Sequence, residues 1–321
     1  MPLSKRWFVV CLAVATILVP LAAGAFAGGG ILFGLDTTPN GDLVVADATV
    51  GILGLRNDEV VRTIALPGIT DVSPTANSSF WAVTGAGGDP TQDTGQALHR
   101  VSNGNVEMVV NLFQFEATRN PVPPADLPDS NPFDVKAFHR GSALVVDAGG
   151  NDLLMVSRRG DVSVVAKFPS EGEAESVPTS VAVGPDNYLY VGELLGFVFP
   201  SGPPIGESNI WRVSARAHDT QCPSADCVKV FDGGFTSIID MVFGPDGKLY
   251  VAEMDEAGWL AAETGAGVGG TINACDLSTL TSTEVATGIP QLTAIAFDGQ
   301  GSLWATRNAI MFGQAEVFKV S

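Results

Sequence analysis

One short phrase recurs six times along the 321-residue chain, and a repeat of this kind constrains the fold more than composition does. Each copy is an apolar run, a turn, and a second apolar run, and the second run opens nine positions after the first. The opening pairs are Gly34 and Leu43, Asp71 and Phe80, Asp134 and Ala143, Ser180 and Leu189, Asp240 and Leu249, and Ala294 and Leu303. A register kept six times indicates one repeated structural unit.

Most copies are followed by two further apolar runs, as at residues 152–156 and 161–168. Four strands per repeat, at a spacing of about 50 residues, are typical of a β-propeller blade. We therefore predict an all-β, six-bladed β-propeller over residues 28–321, with blades starting near residues 34, 71, 134, 180, 240 and 294. A β-sandwich is disfavoured by the even repetition. The last copy lacks a fourth strand, so we expect residues 28–33 to supply one and close the ring.

Charge and turn content exclude several classes of protein. The chain has 35 Asp and Glu against 17 Lys and Arg, a net charge of -18, so binding to nucleic acid through its phosphates is disfavoured. Anionic membranes would repel it for the same reason. The 37 Gly and 20 Pro are spread along the whole chain and favour short extended segments over helices.

The first segment has the order of a secretory signal. Lys5 and Arg6 precede an apolar run over residues 7–27, which ends in Ala25-Phe26-Ala27 before Gly28. We expect residues 1–27 to be removed on export, which leaves a secreted or periplasmic monomer with no membrane contact. The alternative is a retained anchor, because the run is long enough to span a bilayer.

The cysteines fit an exported protein. Cys222 and Cys227 bracket a turn-forming segment between two strand-like runs, which predicts a disulfide across a hairpin. A zinc half-site is the rival, but no second Cys or His pair has the spacing of zinc ligands. Cys275 is left over, and we expect it to be buried as a small apolar residue.

Several phrases resemble the ScyD/ScyE family of exported bacterial propellers. They are residues 129–134, 144–154, 179–186 with 191–194, and 234–240. The resemblance runs over nearly the whole mature chain and implies an NHL-like or TolB-like six-bladed fold and an exported location, with no established reaction. Relatives in that family carry a second Cys where Ser282 stands, so a disulfide at Cys275 is not implied here.

The repeat places acidic residues on one face of the ring, where first strands start and second strands end. They are Asp71, Asp134 and Asp240 at first-strand starts, and Asp47, Asp147, Glu193 and Glu253 at second-strand ends. Three inner aspartates would repel one another, so Asp71, Asp134 and Asp240 are candidate ligands for Ca²⁺ or Mg²⁺ in the central channel. The other hypothesis is a structural ring, in which each Asp accepts a hydrogen bond from a backbone N–H of the neighbouring blade.

Long connections leave the same face, and two of them carry aromatic candidates. They cover residues 85–95, residues 194–209 with Phe197 and Phe199, and residues 254–270 with Trp259. Loops on one face of a rigid scaffold are a frequent place for function. The leading hypothesis is therefore a propeller that binds a small molecule, glycan or protein on this acid-rich, long-loop face. Its predicted ligand-binding residues are Asp71, Asp134, Asp240, Asp147, Glu193, Glu253, Phe197, Phe199 and Trp259.

The alternative hypothesis is a metal-dependent hydrolase of a lactone or ester, which would resemble lactonase or strictosidine-synthase-like propellers. A cation on the three inner aspartates would polarise the carbonyl and activate water. The sequence contains no Gly-x-Ser-x-Gly elbow and no His-Glu-x-x-His pair. It therefore leaves open whether the protein catalyses any reaction.

Overall fold

Twenty-five strands and two short helices make up most of the computed structural model, which describes residues 25–27, 30–57, 59–120, 128–170 and 174–320. The strands of the first half are β1 (Ala25–Ala27), β2 (Leu32–Thr37), β3 (Leu43–Asp47), β4 (Gly51–Arg56), β5 (Glu59–Ala65), β6 (Ile69–Ala76), β7 (Ser79–Thr84), β8 (Ala97–Ser102), β9 (Asn105–Asn111), β10 (Pro132–Ala137), β11 (Ala143–Asp147), β12 (Asp152–Val156) and β13 (Val162–Lys167). Those of the second half are β14 (Pro178–Val183), β15 (Tyr188–Glu193), β16 (Ser208–Ser214), β17 (Thr220–Gln221), β18 (Cys227–Phe235), β19 (Ile238–Phe243), β20 (Leu249–Glu253), β21 (Gly270–Asp276), β22 (Thr281–Ile289), β23 (Ile295–Phe297), β24 (Leu303–Arg307) and β25 (Glu316–Lys319). The helices are α1 (Leu112–Arg119) and α2 (Trp259–Thr264), and a 3₁₀ turn covers His139–Gly141.

The strands form six sheets that follow one another along the chain. Their orders are β2-β3-β4-β5, β6-β7-β8-β9, β10-β11-β12-β13, β14-β15-β16-β18, β19-β20-β21-β22 and β23-β24-β25-β1, and β17 adds to the outer edge of β13. The first strands of successive sheets contact each other, and β23 contacts β2, so the ring is closed. The predicted six-bladed β-propeller is confirmed, and the first strands of its blades begin at Leu32, Ile69, Pro132, Pro178, Ile238 and Ile295.

The core lies between neighbouring blades, which explains why the second strand of each repeat is apolar without alternation. All five residues of β3 and of β11 are buried, because each strand has a sheet on both of its faces. Between the third and fourth blades, Val146 of β11 packs in one cluster with Val191 of β15 and Trp211 of β16. Burial on both sides fixes the distance between sheets all round the ring.

Ring closure differs from the expectation. The fourth strand of the last sheet is β1, in which Phe26 is the register partner of Val317 of β25, and not a segment within residues 28–33. The prediction was wrong because Leu32 already pairs with Asp47 in the first blade. Residues 25–27 are also the end of the predicted signal, whose first 24 residues lie outside the described part of the chain.

The cysteine predictions are confirmed. Cys222 and Cys227 form a disulfide with their Cα atoms 5.3 Å apart, and Cys227 is the register partner of Val213 in the adjoining strand. Cys275 is free and buried, and its register partner across β21 and β22 is Ser282. Within the described ranges, no helix has the length and hydropathy that crossing a membrane would require.

Candidate functional site

A cavity of about 390 Å³ lies where the first strands begin, and we call it the axial chamber. In the first five blades the first strand carries a β-bulge at the same point, one residue before the position that opens each repeat. A bulge leaves one residue out of the ladder and re-aims its side chain. Those five residues and the equivalent residue of the sixth blade all line the chamber, in the order Phe33, Thr70, Phe133, Thr179, Ile239 and Thr293.

Apolar residues and threonines alternate around this ring, and the three threonine hydroxyls are already engaged. Thr70 donates to the carbonyl of Pro132 at 2.8 Å, and Thr179 donates to that of Ile238 at 2.6 Å. Thr293 donates to the carbonyl of Leu32 at 2.7 Å. Each acceptor belongs to the first strand of the next blade, so each hydroxyl links its own blade to the blade that follows. The floor of the chamber therefore offers a ligand mainly apolar surface.

The long connections form the walls of the chamber. Trp259 at the start of α2 is 4% exposed, and its indole N–H donates to the carbonyl of Leu195 at 3.0 Å. Phe197 also lines the chamber, so two of the three predicted aromatic residues reach it. Phe199 does not line it and is 77% exposed on the outer part of the same connection.

The polar part of the walls is acidic. Asp129, Glu175 and Glu263 line the chamber together with the amide of Asn131. None of the described lining residues is Lys, Arg or His. Glu263 differs from the other buried acids, because no hydrogen bond or ion pair holds its carboxylate within the described part of the chain, and burial raises its pKa to about 7.

The predicted acids at second-strand ends do not line the chamber. They accept hydrogen bonds from the segments that form its walls. Asp147 is fully buried and accepts hydrogen bonds from the Ser130 hydroxyl at 2.7 Å and the Asn131 N–H at 2.6 Å. Both donors belong to the segment that leads into β10, and that segment carries the chamber residues Asp129 and Asn131. Burial raises the pKa of Asp147, although these hydrogen bonds oppose the shift.

Glu193 and Glu253 repeat this arrangement. Glu193 accepts from the Ser176 hydroxyl at 2.7 Å, just before β14, and also from the indole N–H of Trp211. Glu253 accepts from the backbone N–H of Thr236, which precedes β19. Burial raises the pKa of both groups, that of Glu253 to about 7. In these blades the acid that ends the second strand holds the segment that leads into the first.

The three inner aspartates make the hydrogen bonds of the structural-ring hypothesis. Asp71 accepts from the N–H of Val135 at 3.0 Å, and Asp134 accepts from that of Val181 at 2.5 Å. Asp240 accepts from the N–H of Ile295 at 2.7 Å. Each donor lies in the first strand of the next blade. The aspartates therefore join neighbouring blades below the chamber floor, and none of them lines the chamber.

The positive charge among these acids belongs to Lys136 of β10. Its ammonium nitrogen lies 3.0 Å from Asp36, and the acids that act on it are Asp36, Asp134, Asp71 and Asp240. Burial lowers the pKa of Lys136, but these carboxylates outweigh burial and raise it. Burial and the charge of Asp134 raise the pKa of Asp240 to about 7.

A metal at this position receives no support from the geometry. Among the described residues, no group of three or more His, Cys, Asp and Glu side chains is arranged to hold a metal ion. Sequence reasoning missed Lys136, although it stands two residues after Asp134, and residues two apart in a strand point to the same face. That spacing is the signal that would have found it.

Known proteins share the fold. No protein-family model matches the chain, and no curated protein matches it. Virginiamycin B lyase from Staphylococcus aureus matches at 16% identity over 88% of this chain and 80% of that one, with a TM-score of 0.53. A gluconolactonase from Xanthomonas campestris matches at 12% identity over 92% and 88%, with a TM-score of 0.60. A putative glucose dehydrogenase from Thermus thermophilus matches at 14% identity over 92% and 97%, with a TM-score of 0.59.

These likenesses establish the fold of the molecule and do not establish its function. The chain is a six-bladed β-propeller, in the same broad architecture as proteins described as a lyase, a lactonase and a dehydrogenase. Identities of 12–16% establish the fold alone, and one propeller fold supports many chemistries. The chamber is the feature of this molecule that bears on its function.

Proposed function

We propose that this protein is an exported propeller that binds a small, largely apolar molecule in the axial chamber. The observation that carries the proposal is the chamber itself, about 390 Å³ at the centre of the ring, with an apolar floor and a few polar groups in its walls. Ligand sites are commonly concave, mostly apolar and about 300–1,000 Å³ in volume. The bulge in the first strands supports this proposal, because in five of the six blades it turns one side chain towards the chamber.

A small molecule suits the chamber better than a glycan or a protein. A glycan presents many hydroxyl groups, and burying each without a hydrogen bond is unfavourable. The floor hydroxyls of Thr70, Thr179 and Thr293 are engaged with the neighbouring blades. Aromatic and aliphatic side chains such as Phe33, Phe133 and Ile239 offer contact area to an apolar body instead.

Export is part of the proposal and rests on one feature of the sequence and one of the structure. The first is the order of charged, apolar and small residues in positions 1–27. The second is the disulfide between Cys222 and Cys227, since disulfides persist mainly in oxidising compartments. Membership of the ScyD/ScyE family would agree with both features, and it stays a proposal based on the resemblance of residues 129–134, 144–154, 179–186, 191–194 and 234–240.

The metal-dependent hydrolase is the second candidate, and the chamber supports it less. That mechanism needs a bound cation to polarise the carbonyl. In the described chain, Lys136 stands among the acids that were expected to bind it. Metal analysis of the purified protein, together with a panel of lactones and esters, tests the candidate directly, and bound metal with turnover would favour it.

The binding proposal is tested by filling the chamber. Ala86 is half-buried in the chamber wall, and an Ala86→Trp variant would place an indole in the cavity. Ala76→Trp is the matched control, because Ala76 is exposed in the β6–β7 hairpin and does not line the chamber. Titration calorimetry with 2-(1-naphthyl)ethanol should show binding to the wild type and to Ala76→Trp, and at least a tenfold loss with Ala86→Trp. Equal affinity in all three proteins would place the binding elsewhere and contradict the proposal.

A further inference from the structure

Among the residues that the structure describes, the charged groups lining the chamber are all acidic. Its described lining includes the carboxylates of Asp129, Glu175 and Glu263 and no basic side chain. An anionic ligand would lose its hydration there and meet no counter-charge, which is unfavourable. A neutral ligand meets no such penalty, and a cation gains from the acidic wall. The lining therefore favours the binding of cations over that of neutral molecules, and the binding of neutral molecules over that of anions.

Glu263 is the acid whose carboxylate a ligand could bind without displacing a hydrogen-bond donor of the described residues. The buried acids Asp147, Glu193 and Glu253 all accept hydrogen bonds from protein groups. The Glu263 carboxylate has no hydrogen-bond or ion-pair donor among the described residues, although it is partly buried in the wall. A partly buried carboxylate without donors gains most from a donor that carries positive charge.

Trp259 stands next to this carboxylate on the same helix. The two residues are four positions apart on α2, a spacing that puts side chains on one face, and both line the chamber. Phe33 and Phe133 contact each other edge to face, with ring centroids 5.8 Å apart, on the floor. Aromatic faces attract cations as well as apolar groups. The chamber thus combines one available carboxylate with aromatic surface within the same cavity.

We propose that the axial chamber selects small molecules in which a protonated amine is joined to an aromatic or aliphatic body, and that Glu263 is the residue that recognises the amine. This inference rests on the proposed function and names its ligand class. The apolar body lies against the bulge ring and Trp259, and the ammonium group donates to the Glu263 carboxylate. Carboxylic acids and phosphates of the same size are excluded by charge.

Three probes with one body separate charge from shape. They are 2-(1-naphthyl)ethylamine, 2-(1-naphthyl)ethanol and 3-(1-naphthyl)propionic acid, which are cationic, neutral and anionic at pH 8. Titration calorimetry should give the amine at least a tenfold lower Kd than the alcohol, with the acid weakest. In Glu263→Gln, the amine should lose its preference and bind about as tightly as the alcohol, and measurable binding of the alcohol shows that the chamber is intact. Glu284→Gln removes an exposed acid on β22 and should keep the tenfold preference.

The outcomes distinguish the two proposals. If the alcohol binds as tightly as the amine and Ala86→Trp weakens both, the chamber is a binding site and the amine inference is overturned. An amine preference that survives Glu263→Gln also overturns it, since another group would then recognise the amine. If none of the three probes binds the folded wild type, the proposed function and the inference both fail.

Discussion

The ammonium nitrogen of Lys136 on β10 lies 3.0 Å from a carboxylate oxygen of Asp36 on β2, two blades away in the ring. These residues are separated by 100 positions in the chain and meet because β2 and β10 both pack against β6, the first strand of the blade between them. Lys136 is also acted on by the three inner aspartates. One lysine thus supplies the positive charge for the acids of the central channel.

Removal of that charge should destabilise the ring. In Lys136→Met the inner carboxylates lose their counter-charge, and we expect the free energy of unfolding to fall by about 2 kcal/mol at pH 7. Lys319→Met is the control, because Lys319 is exposed on β25 and makes no ion pair within the described residues. Urea unfolding of both variants measures the difference. A Lys136→Met variant as stable as the control would show that the acids are compensated in another way.

Calcium should have no specific effect on the wild type. Since Lys136 already stands among Asp71, Asp134 and Asp240, we expect the same melting temperature in CaCl₂ and in NaCl of equal ionic strength. A ligand that binds only the folded state raises the melting temperature by mass action. A higher melting temperature in CaCl₂, reversed by a chelator, would restore the metal hypothesis for these three residues.

Gly34 should tolerate no side chain. A Cβ atom there would lie 2.1 Å from Oδ1 of Asp71 and 2.9 Å from its Cα, so the next blade would have to move. We expect Gly34→Ala to lower the free energy of unfolding by about 1–3 kcal/mol. Gly87→Ala is the control, since its Cβ would lie 3.7 Å from the nearest neighbour at an ordinary φ, and it should change stability little. Equal urea midpoints for the two variants would contradict this account of the blade contact.

Stability should depend on pH through Glu263. Burial raises the pKa of Glu263 to about 7 from 4.5, so the folded state favours the protonated acid. The resulting stabilisation is complete below pH 4.5 and is lost as the pH rises through 7. Because solvent screens the group, we expect Glu263→Gln to gain only about 1 kcal/mol over the wild type between pH 5 and pH 8.

Thermal or urea unfolding of both proteins across that pH range measures the effect of Glu263. Glu253 and Asp240, whose pKa values burial also raises to about 7, titrate equally in the two proteins and cancel in the difference. A constant difference from pH 5 to pH 8 would show that Glu263 ionises normally.

A second disulfide should form if its partner is supplied. Cys275 is buried on β21 and faces Ser282 on β22 in the register of the two strands. Ser282→Cys should therefore pair with Cys275 and stabilise the protein by about 2 kcal/mol, because it closes only a short loop. Mass mapping without reduction identifies the bond. Free thiols at both positions in oxidised protein would mean that the side chains point apart.

The sequence was sufficient for the fold because the signal was repeated six times. The repeated spacing of two strands around a turn shows where each blade lies in the sequence. Burial on both faces accounts for the unbroken apolar runs in β3 and β11. The pairing of Cys222 with Cys227 followed from a local hairpin. Such features depend on residues that are close in sequence or repeated in it.

The chamber was harder to predict, because its residues are defined by a backbone irregularity and by contacts between blades. No sequence pattern marks Phe33 or Thr70 as the residue that leaves the ladder. Asp147, as one example, was predicted as a ligand contact from its strand-end position, but a strand end does not show whether a carboxylate turns to the ligand or to its own loop. Glu263 was missed because residues 254–270 were predicted as a connection, although the Leu-Ala-Ala-Glu run within them consists of good helix formers.

The closing sheet also sets an order on the assembly of the molecule. β1 is synthesised first and β25 last, yet the two strands are neighbours in one sheet. In every other blade the four main strands follow one another along the chain, apart from β17, which lies between β16 and β18 and adds to β13, so these blades are able to form while the chain is still being made. The last sheet can form only after nearly the whole chain has been synthesised, and contacts between residues so far apart in sequence form slowly. Cleavage after Ala27 would part β1 from the blades and leave β25 as an open edge, so the position of the cut decides whether the finished ring has an edge that other chains can join.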